Sequence, residues 1–501
     1  RVDIVRMLSF QNRNHNSFFL NNSLILVILI LITIARIIVL ALSPIELSVD
    51  EAQYWHWSQN LQMGYFTKPP MIAWIIAFST NIFGQEEWAV RICSPIMHFL
   101  ISITIWIGTY SIFGSKSAKI ASLIWIFTPA ASLGSFIISS DTPLLLFWTF
   151  ALVTVLTLLK ESNIILSIFL GLTVGLAFLS KYAALYFIIF FLLWWIIYDR
   201  GKNFKANKLI LILFTCIIVV SGNLYWNYVN DFVTLNHTVS NADLSIITLN
   251  FNNMIEFIAS QLLVFGPILM LLFLFLVFES FYKNKSLSLL AMLSLPIIIL
   301  ITIQSYLKIA NANWAITAYI AASIILSSFV VNNKRKYIRF FFKIGITTNV
   351  VLSVFILSVT TTGSLYPFEL KSNPLRKNIG YESQSNKIDS IYTNNKVSAV
   401  LFQNRSDITR FNYYLNRFDD KFKGKIFILN KNIHPGNYYE KNYSFNHALF
   451  KTGDKVLILS QNINDNTYAN LSSLELVNKI SYKTGKNTNR NYYVYNAYVV
   501  K

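Results

Sequence analysis

Apolar residues run in long blocks down the first three quarters of the chain, separated by short polar interruptions. Blocks at about 24–43, 88–113, 118–138, 142–159, 164–180, 182–198, 208–226, 257–281, 286–303, 314–331 and 340–360 match the length of a membrane-crossing helix, which predicts about eleven spans. Residues 69–83, "PPMIAWIIAFSTNIF", are apolar but short and start with two prolines, so they predict a helix lying in the membrane interface. After residue 360 the pattern changes to short alternating stretches, "KVSAVLF", "GKIFILN", "DKVLILS" and "NYYVYNAYVV", with "DITRFNYYLNR" as a helix. The expected architecture is a polytopic α-helical membrane domain, residues 1–360 with a loop at 44–87, followed by a soluble α/β domain at 361–501.

Composition agrees: 54% of the 501 residues are hydrophobic and only 13% charged. The net charge of +19 would suit a nucleic-acid partner if it were spread over one surface, so its placement decides its meaning. With the N-terminus (Arg1, Arg6, Arg13) inside, the loops holding Lys116, Lys160, Lys205, Lys283 and Arg335 all fall on the cytoplasmic side, and the outer loops keep only Lys68, Lys181 and Lys308. That is the positive-inside pattern, so the charge sets topology and nucleic acid drops out as a partner. Glu46, Asp50, Glu51, Glu86, Glu87, Asp141, Asp231, Asp243 and Glu256 fall outside in this orientation, and an odd number of spans puts the C-terminal domain outside too. The 24–43 block is too long for a signal-peptide core, which predicts a retained first span, with Met7 a candidate initiator. Cys93 and Cys216 both lie in apolar segments and define neither a disulfide framework nor a metal site.

The unusual chemistry gathers in the outer loops. In "LSVDEAQYWHWSQNLQMGYFTKPP", residues 47–70, Asp50 and Glu51 open an aromatic, amphipathic stretch that puts Asp50 and Tyr54 on one helical face and suits headgroup depth, with Trp57 and Tyr65 as candidate headgroup contacts. Lys68 follows an aromatic pair and precedes Pro69 and Pro70; it is either a snorkelling interface lysine or a phosphate ligand. Asp141, in "SSDTPLLLFW", is the single charge of its loop and would serve as a helix N-cap with or without chemistry. Lys181, followed by Tyr182 in "FLSKYAALYF", lies close to hydrocarbon, where an ionisable group is costly and points to function. Lys308 and Asn313 add weaker candidates; His237 reads as structural, and Arg36 as an intramembrane ion able to snorkel. Carboxylates, lysines and aromatics at one membrane face fit an enzyme acting on a phosphorylated lipid.

The ordered segments "DEAQYWHWSQNLQMGYFTKPPMIAW", "FGQEEWAVR", "SSDTPLLLFW", "GLAFLSKYAALYF" and "NANWAITAY" resemble the bacterial branch of the dolichyl-phosphate-mannose protein mannosyltransferase superfamily, and are similar in particular to the aminoarabinose transferases that modify lipid A. The resemblance covers about residues 24–330 and implies the GT-C glycosyltransferase fold. It implies inverting transfer of a sugar from a polyprenyl-phosphate carrier to an envelope acceptor, lipid A first among them, at the outer face of the bacterial cytoplasmic membrane. Asp50 then matches the first-loop catalytic aspartate, with Glu51 beside it, and Asp141 the second acidic position. Lys68 and Lys181 match the lysines expected at the carrier phosphate, with Lys308 a further candidate. Two positions depart from the aminoarabinose transferases: Thr67 stands where they have Glu, and Gln53 where they have Arg. The donor sugar therefore stays open. So do a divalent metal on Asp50 and Asp141, a protein or polysaccharide acceptor, and a lipid-linked substrate transporter as the rival class.

Overall fold

A computed structural model of the chain describes residues 23–500 except 162, 203, 242–248, 333–334, 366–372, 374, 430–434, 463–467 and 469. Arg1, Arg6, Met7, Arg13, Asp243 and Lys334 lie outside the described residues. Among the described residues, seven helices are long and apolar enough to cross a membrane: Ser23–Leu42, Glu87–Ile126, Asp141–Leu158, Tyr182–Asp199, Ala206–Val229, Lys285–Leu307 and Lys336–Thr362. A bent pair brings the number to eight, and Met71–Phe83, Ile164–Ser180 and Ala318–Asn332 are shorter apolar helices.

Two expected spans are broken, each for a local reason. The 257–281 block forms Phe251–Phe265 and Pro267–Lys283, which meet at 103°. Gly266 takes φ +101° at the corner, Pro267 starts the second helix without needing an amide partner, and Asn349 Nδ2 caps the freed Phe265 carbonyl at 2.9 Å. The 88–113 and 118–138 blocks, expected as separate spans, join in one helix, Cys93–Ile126, kinked at Gly114 (φ +81°); it ends at Ile126 and the chain restarts as Pro129–Gly134, with Thr128 capping the new start. The break is held by Arg36, whose guanidinium donates to the Ile126 carbonyl at 2.6 Å, Ser132 Oγ at 3.0 Å and Ser135 Oγ at 2.9 Å. Arg36 is buried, so it does not snorkel: it fills the hydrogen-bonding need of an interrupted helix.

Helix Met71–Phe83 buries Met71, Ile72, Ala73 and Ile76 and leaves Phe78, Ile82 and Phe83 exposed, the two-faced pattern expected of an interfacial helix.

The C-terminal domain is a five-stranded sheet in the order β2-β1-β3-β5-β4, made of β1 (Ala399–Phe402), β2 (Ile426–Ile428), β3 (Lys455–Ser460), β4 (Glu475–Lys483) and β5 (Asn489–Tyr498). β1 pairs parallel with β2 and β3, while β5 runs antiparallel to β3 and β4. Helices Tyr381–Asn394 and Arg405–Asn416 pack with it, Phe411 stacking on Phe402 at 5.3 Å between ring centroids.

This domain shares a hydrophobic core with the first loop. Leu47, Ala52, Trp55 and Trp57 of the loop pack in one cluster with Phe411, Tyr413 and Tyr439 of the domain. Tyr413 meets Trp55 edge-on at 4.8 Å and donates its hydroxyl to the Gln85 carbonyl at 2.6 Å. The Glu46 carboxylate accepts the first amides of helix Tyr381–Asn394, from Tyr381 at 2.6 Å and Glu382 at 3.0 Å, where the helix dipole favours an anion. Arg417 ion-pairs Glu87 at 3.0 Å, Glu86 at 3.5 Å, and Glu382. The loop and the domain therefore occupy the same end of the helical bundle.

Candidate active site at the loop and domain junction

The stretch after Leu47 becomes helix Val49–Ser58 because Ser48 and Glu51 form a reciprocal capping box: Ser48 Oγ accepts the Glu51 amide at 3.3 Å, and Glu51 Oε2 the Ser48 amide at 3.0 Å. Glu51 then points inward, 1% exposed, against Arg91 at 2.7 and 2.9 Å and the Ile138 amide at 3.1 Å. Burial pushes its acidity down, but the Arg91 charge and these hydrogen bonds outweigh that and hold the pKa below the ordinary carboxylate value. Glu51, expected beside the catalytic aspartate, is thus an inward anchor with its oxygens already engaged.

One residue earlier, Asp50 faces the other way and is the open carboxylate of the pair, 64% exposed. Its Oδ1 accepts Arg405 Nη2 at 2.7 Å, and Arg405 Nε donates to Gln53 Oε1 at 2.8 Å. Tyr54, on the face of Asp50, is buried; burial first, then the charges of Asp50 and Asp141, hold its phenol well above the usual pKa, so it is a neutral hydroxyl near both carboxylates.

Trp57 and Tyr65 do not face outward as headgroup contacts. Their rings stack at 4.8 Å and both are buried. The Tyr65 hydroxyl is used by its own loop, bonding to the Trp57 and Asn60 carbonyls and accepting the Gln62 amide, because a tight return leaves these backbone groups in need of partners.

Lys68 closes this loop, its carbonyl accepting the Tyr65 amide at 3.0 Å ahead of Pro69 and Pro70. Its ammonium is half-buried, and among the described residues no hydrogen bond or ion pair holds it. Burial first, then the Lys181 charge, lower its pKa, against the attraction of Asp141 and Asp50. That combination marks a cation waiting for an anion.

Asp141 is the first residue of helix Asp141–Leu158, yet its side chain does not cap it. Oδ1 takes Lys181 Nζ at 2.7 Å and Oδ2 takes Asn313 Nδ2 at 2.6 Å, joining three separate elements. Lys181 terminates Ile164–Ser180, and the next residue, Tyr182, bonds Asn223 Oδ1 and Asn227 Nδ2, while Asn223 Nδ2 holds the Met63 carbonyl at 2.6 Å. Tyr182 therefore braces the far wall of the Lys68 loop. Asn313 is the residue of its loop bonded to Asp141; Lys308 ends helix Leu295–Leu307 with its side chain half-buried. His237 packs against Phe66, and burial, followed by the charges of Lys68 and Arg405, lowers its pKa, so it lies at the border of the site.

Among the described residues no group of three His, Cys, Asp or Glu could hold a metal ion, and Asp50 and Asp141 each already carry a cationic partner. What the site offers is the Lys68 ammonium, without a hydrogen-bond or ion-pair partner among the described residues, and the charges of Lys181, Asp141 and the exposed Asp50 near enough to act on it.

Residues 67–226 match the family model for dolichyl-phosphate-mannose-protein mannosyltransferase. The matched segment carries Lys68, Asp141, Lys181 and Tyr182; Asp50 precedes it, and Asn313 and Arg405 follow it. The chain is also 33% identical over 303 residues to the lipid A galacturonosyltransferase RgtD of Rhizobium johnstonii. That match covers 60% of this chain and 64% of the relative, just under two thirds of its length. In fold, the chain superposes on ArnT from Cupriavidus metallidurans bound to undecaprenyl phosphate with a TM-score of 0.68, covering 94% of this chain and 97% of that one at 11% identity. The apo state of the same protein gives 0.64 over 95% and 97%, again at 11% identity. The fold is GT-C, with a C-terminal sheet domain.

Arg405 is the site residue that the sequence alone did not identify. It lies 355 positions from Asp50, in a domain to which the sequence assigned no site residue. The available signal was Gln53, which departs from the arginine that the resemblance leads one to expect: a missing cation beside Asp50 invites a search for one elsewhere.

Proposed function

We propose that the protein is a membrane glycosyltransferase that moves a sugar from a polyprenyl-phosphate carrier to lipid A at the outer face of the bacterial inner membrane. The observation that carries this reading is the Lys68 ammonium, unpartnered among the described residues and within the electrostatic reach of the Asp141–Lys181 pair and the exposed Asp50, at the end of the bundle where the first loop meets the C-terminal domain. The mannosyltransferase-type segment, the GT-C fold and the relative named for lipid A support it.

The carrier phosphate is the leaving group. As the bond from the sugar C1 to the phosphate oxygen breaks, its electron pair goes to that oxygen, and Lys68 and Lys181 stabilise the growing charge. The acceptor oxygen bonds to C1 from the opposite face, and Asp50 takes its proton, which inverts the anomeric centre. Asp141 and Asn313 hold Lys181 in place. The positive-inside pattern supports placing this end of the molecule, with the C-terminal domain, outside the cytoplasm.

Mass spectrometry of lipid A from cells lacking the gene, complemented with wild type, Asp50→Asn or Lys68→Ala, tests the reading. A sugar-sized mass lost on deletion and restored by wild type alone is the expected result. Unchanged lipid A in the deletion strain would remove lipid A as acceptor, and full complementation by both variants would remove this site.

A further inference from the structure

The C-terminal domain contributes a guanidinium to the catalytic centre, and its surroundings are arranged to aim it. Arg405 is the first residue of helix Arg405–Asn416, whose start is fixed by Asn404, its side chain accepting the Asp407 amide at 2.9 Å. From there it crosses to the loop helix and uses Nε on Gln53 and one Nη2 hydrogen on Asp50. A guanidinium has five N–H donors, so three are left over, and no further partner takes them among the described residues. Gln53, only 1% exposed, spends its carbonyl oxygen on Arg405 while its Nε2 stays buried without a partner. A polar side chain held dry at this cost is explained by what it orients. Trp55, Tyr413 and the Arg417 network fix the domain against the loop, so Arg405 is delivered by a packed junction and not by a free surface loop.

The charges divide unequally. Lys181 is matched to Asp141 and Arg405 to Asp50, which leaves Lys68 as the site cation with no carboxylate partner among the described residues. The Arg405–Asp50 pair is solvent-facing, with Arg405 36% and Asp50 64% exposed, and a pair of that kind exchanges partners easily. It also occupies the carboxylate that the transfer needs as a base. An incoming carboxylate on the sugar would meet the planar fork that Arg presents to carboxylates, and in taking it would release Asp50. A relative named for galacturonosyl transfer handles a sugar of this chemistry.

We propose that Arg405 binds the carboxylate of a hexuronosyl group on the polyprenyl-phosphate donor, and that this exchange frees Asp50 to act on the acceptor. The inference rests on the transferase reading above and adds the substrate class to it.

The test uses the full-length protein in lipid nanodiscs with two donors, a hexuronosyl and a neutral hexosyl polyprenyl phosphate, and lipid A as acceptor. Wild type should prefer the hexuronosyl donor. Arg405→Gln should lose about 10- to 100-fold in kcat/KM for it, the scale of a charge-assisted hydrogen-bonded pair, chiefly through KM, and little for the neutral donor; Arg405→Lys should recover part of the loss. Arg417→Ala, which loosens the domain without touching the site, should lower both donors alike. An equal loss on both donors in Arg405→Gln would assign Arg405 to phosphate binding or to domain docking and overturn the proposal. So would wild-type preference for the neutral donor. Wild type inactive on every polyprenyl-phosphate donor would instead overturn the transferase reading, and the Arg405 assignment with it.

Discussion

Asp50 and Glu51 are chemically near-identical neighbours with opposite fates, set by 100° of helix rotation. Glu51 is buried against Arg91, so Glu51→Gln leaves a buried guanidinium short of its counter-charge and is expected to cost ~3–5 kcal/mol of stability. Asp50→Asn should leave stability unchanged within ~1 kcal/mol and reduce transfer by about 10²- to 10⁴-fold, the usual contribution of a positioned base. Thermal unfolding and transfer rates of the two purified variants, measured side by side, check both; an unfolded Asp50→Asn or a stable, inactive Glu51→Gln would exchange their roles. Lys68 gives a pH prediction. Its pKa is lowered, so as pH rises it loses its charge earlier than an ordinary lysine, and kcat/KM should fall on the alkaline side below the usual lysine range. Lys68→Arg keeps its charge throughout and should move that limb upward, as a pH–rate profile would show.

At the scale of elements, the loop helix and the domain are clasped by His56. Asn412 Nδ2 donates to Nδ1 at 2.6 Å, which makes Nδ1 an acceptor and leaves Nε2 to donate to the Tyr443 hydroxyl at 2.8 Å. Only the neutral ring can do both, and burial lowers its pKa to about 4. The unfolded chain takes up a proton near pH 6.5 and the folded one does not until about pH 4. The stabilisation is therefore complete above pH 6.5 and declines as pH falls toward 4, by up to about 3 kcal/mol. Thermal unfolding between pH 7 and pH 4.5 should show this decline in wild type and a flatter one in His56→Gln, which hydrogen-bonds without titrating. The bend at Gly266 belongs to the same scale: a Cβ there would lie 1.8 Å from Asn349 Oδ1, so the corner admits no larger residue without displacing its own cap.

For the whole molecule, the shared core of the first loop and the C-terminal domain fixes both on one side of the membrane. A cysteine introduced at Lys387, on the exposed face of helix Tyr381–Asn394, is expected to react with a membrane-impermeant thiol reagent in intact spheroplasts. Reaction only after lysis would invert the topology and the placement of the site. The protein without the introduced cysteine sets the background, since Cys216 is buried but Cys93 only half-buried.

The long apolar blocks and the strands β1, β2, β3 and β5 were legible because burial against lipid or in a sheet imposes a period on the sequence itself. β4 was missed: it is the sheet edge, exposed along most of its length and carrying Lys479 and Lys483, so one face of packing was too little to write a pattern. The sequence alone determined a polytopic helical chain, a C-terminal domain built on strands and a set of candidate ions in Asp50, Lys68, Asp141 and Lys181, since charge near hydrocarbon is costly wherever it occurs. Only the tertiary structure decided which carboxylate of the adjacent pair is open, that Asn313 completes the Lys181–Asp141 pair, and that Arg405 reaches Asp50 from the far domain. Those outcomes depend on distances between segments far apart in the chain, and a hydrogen bond acts over about 3 Å of space with no regard for the length of sequence between its partners.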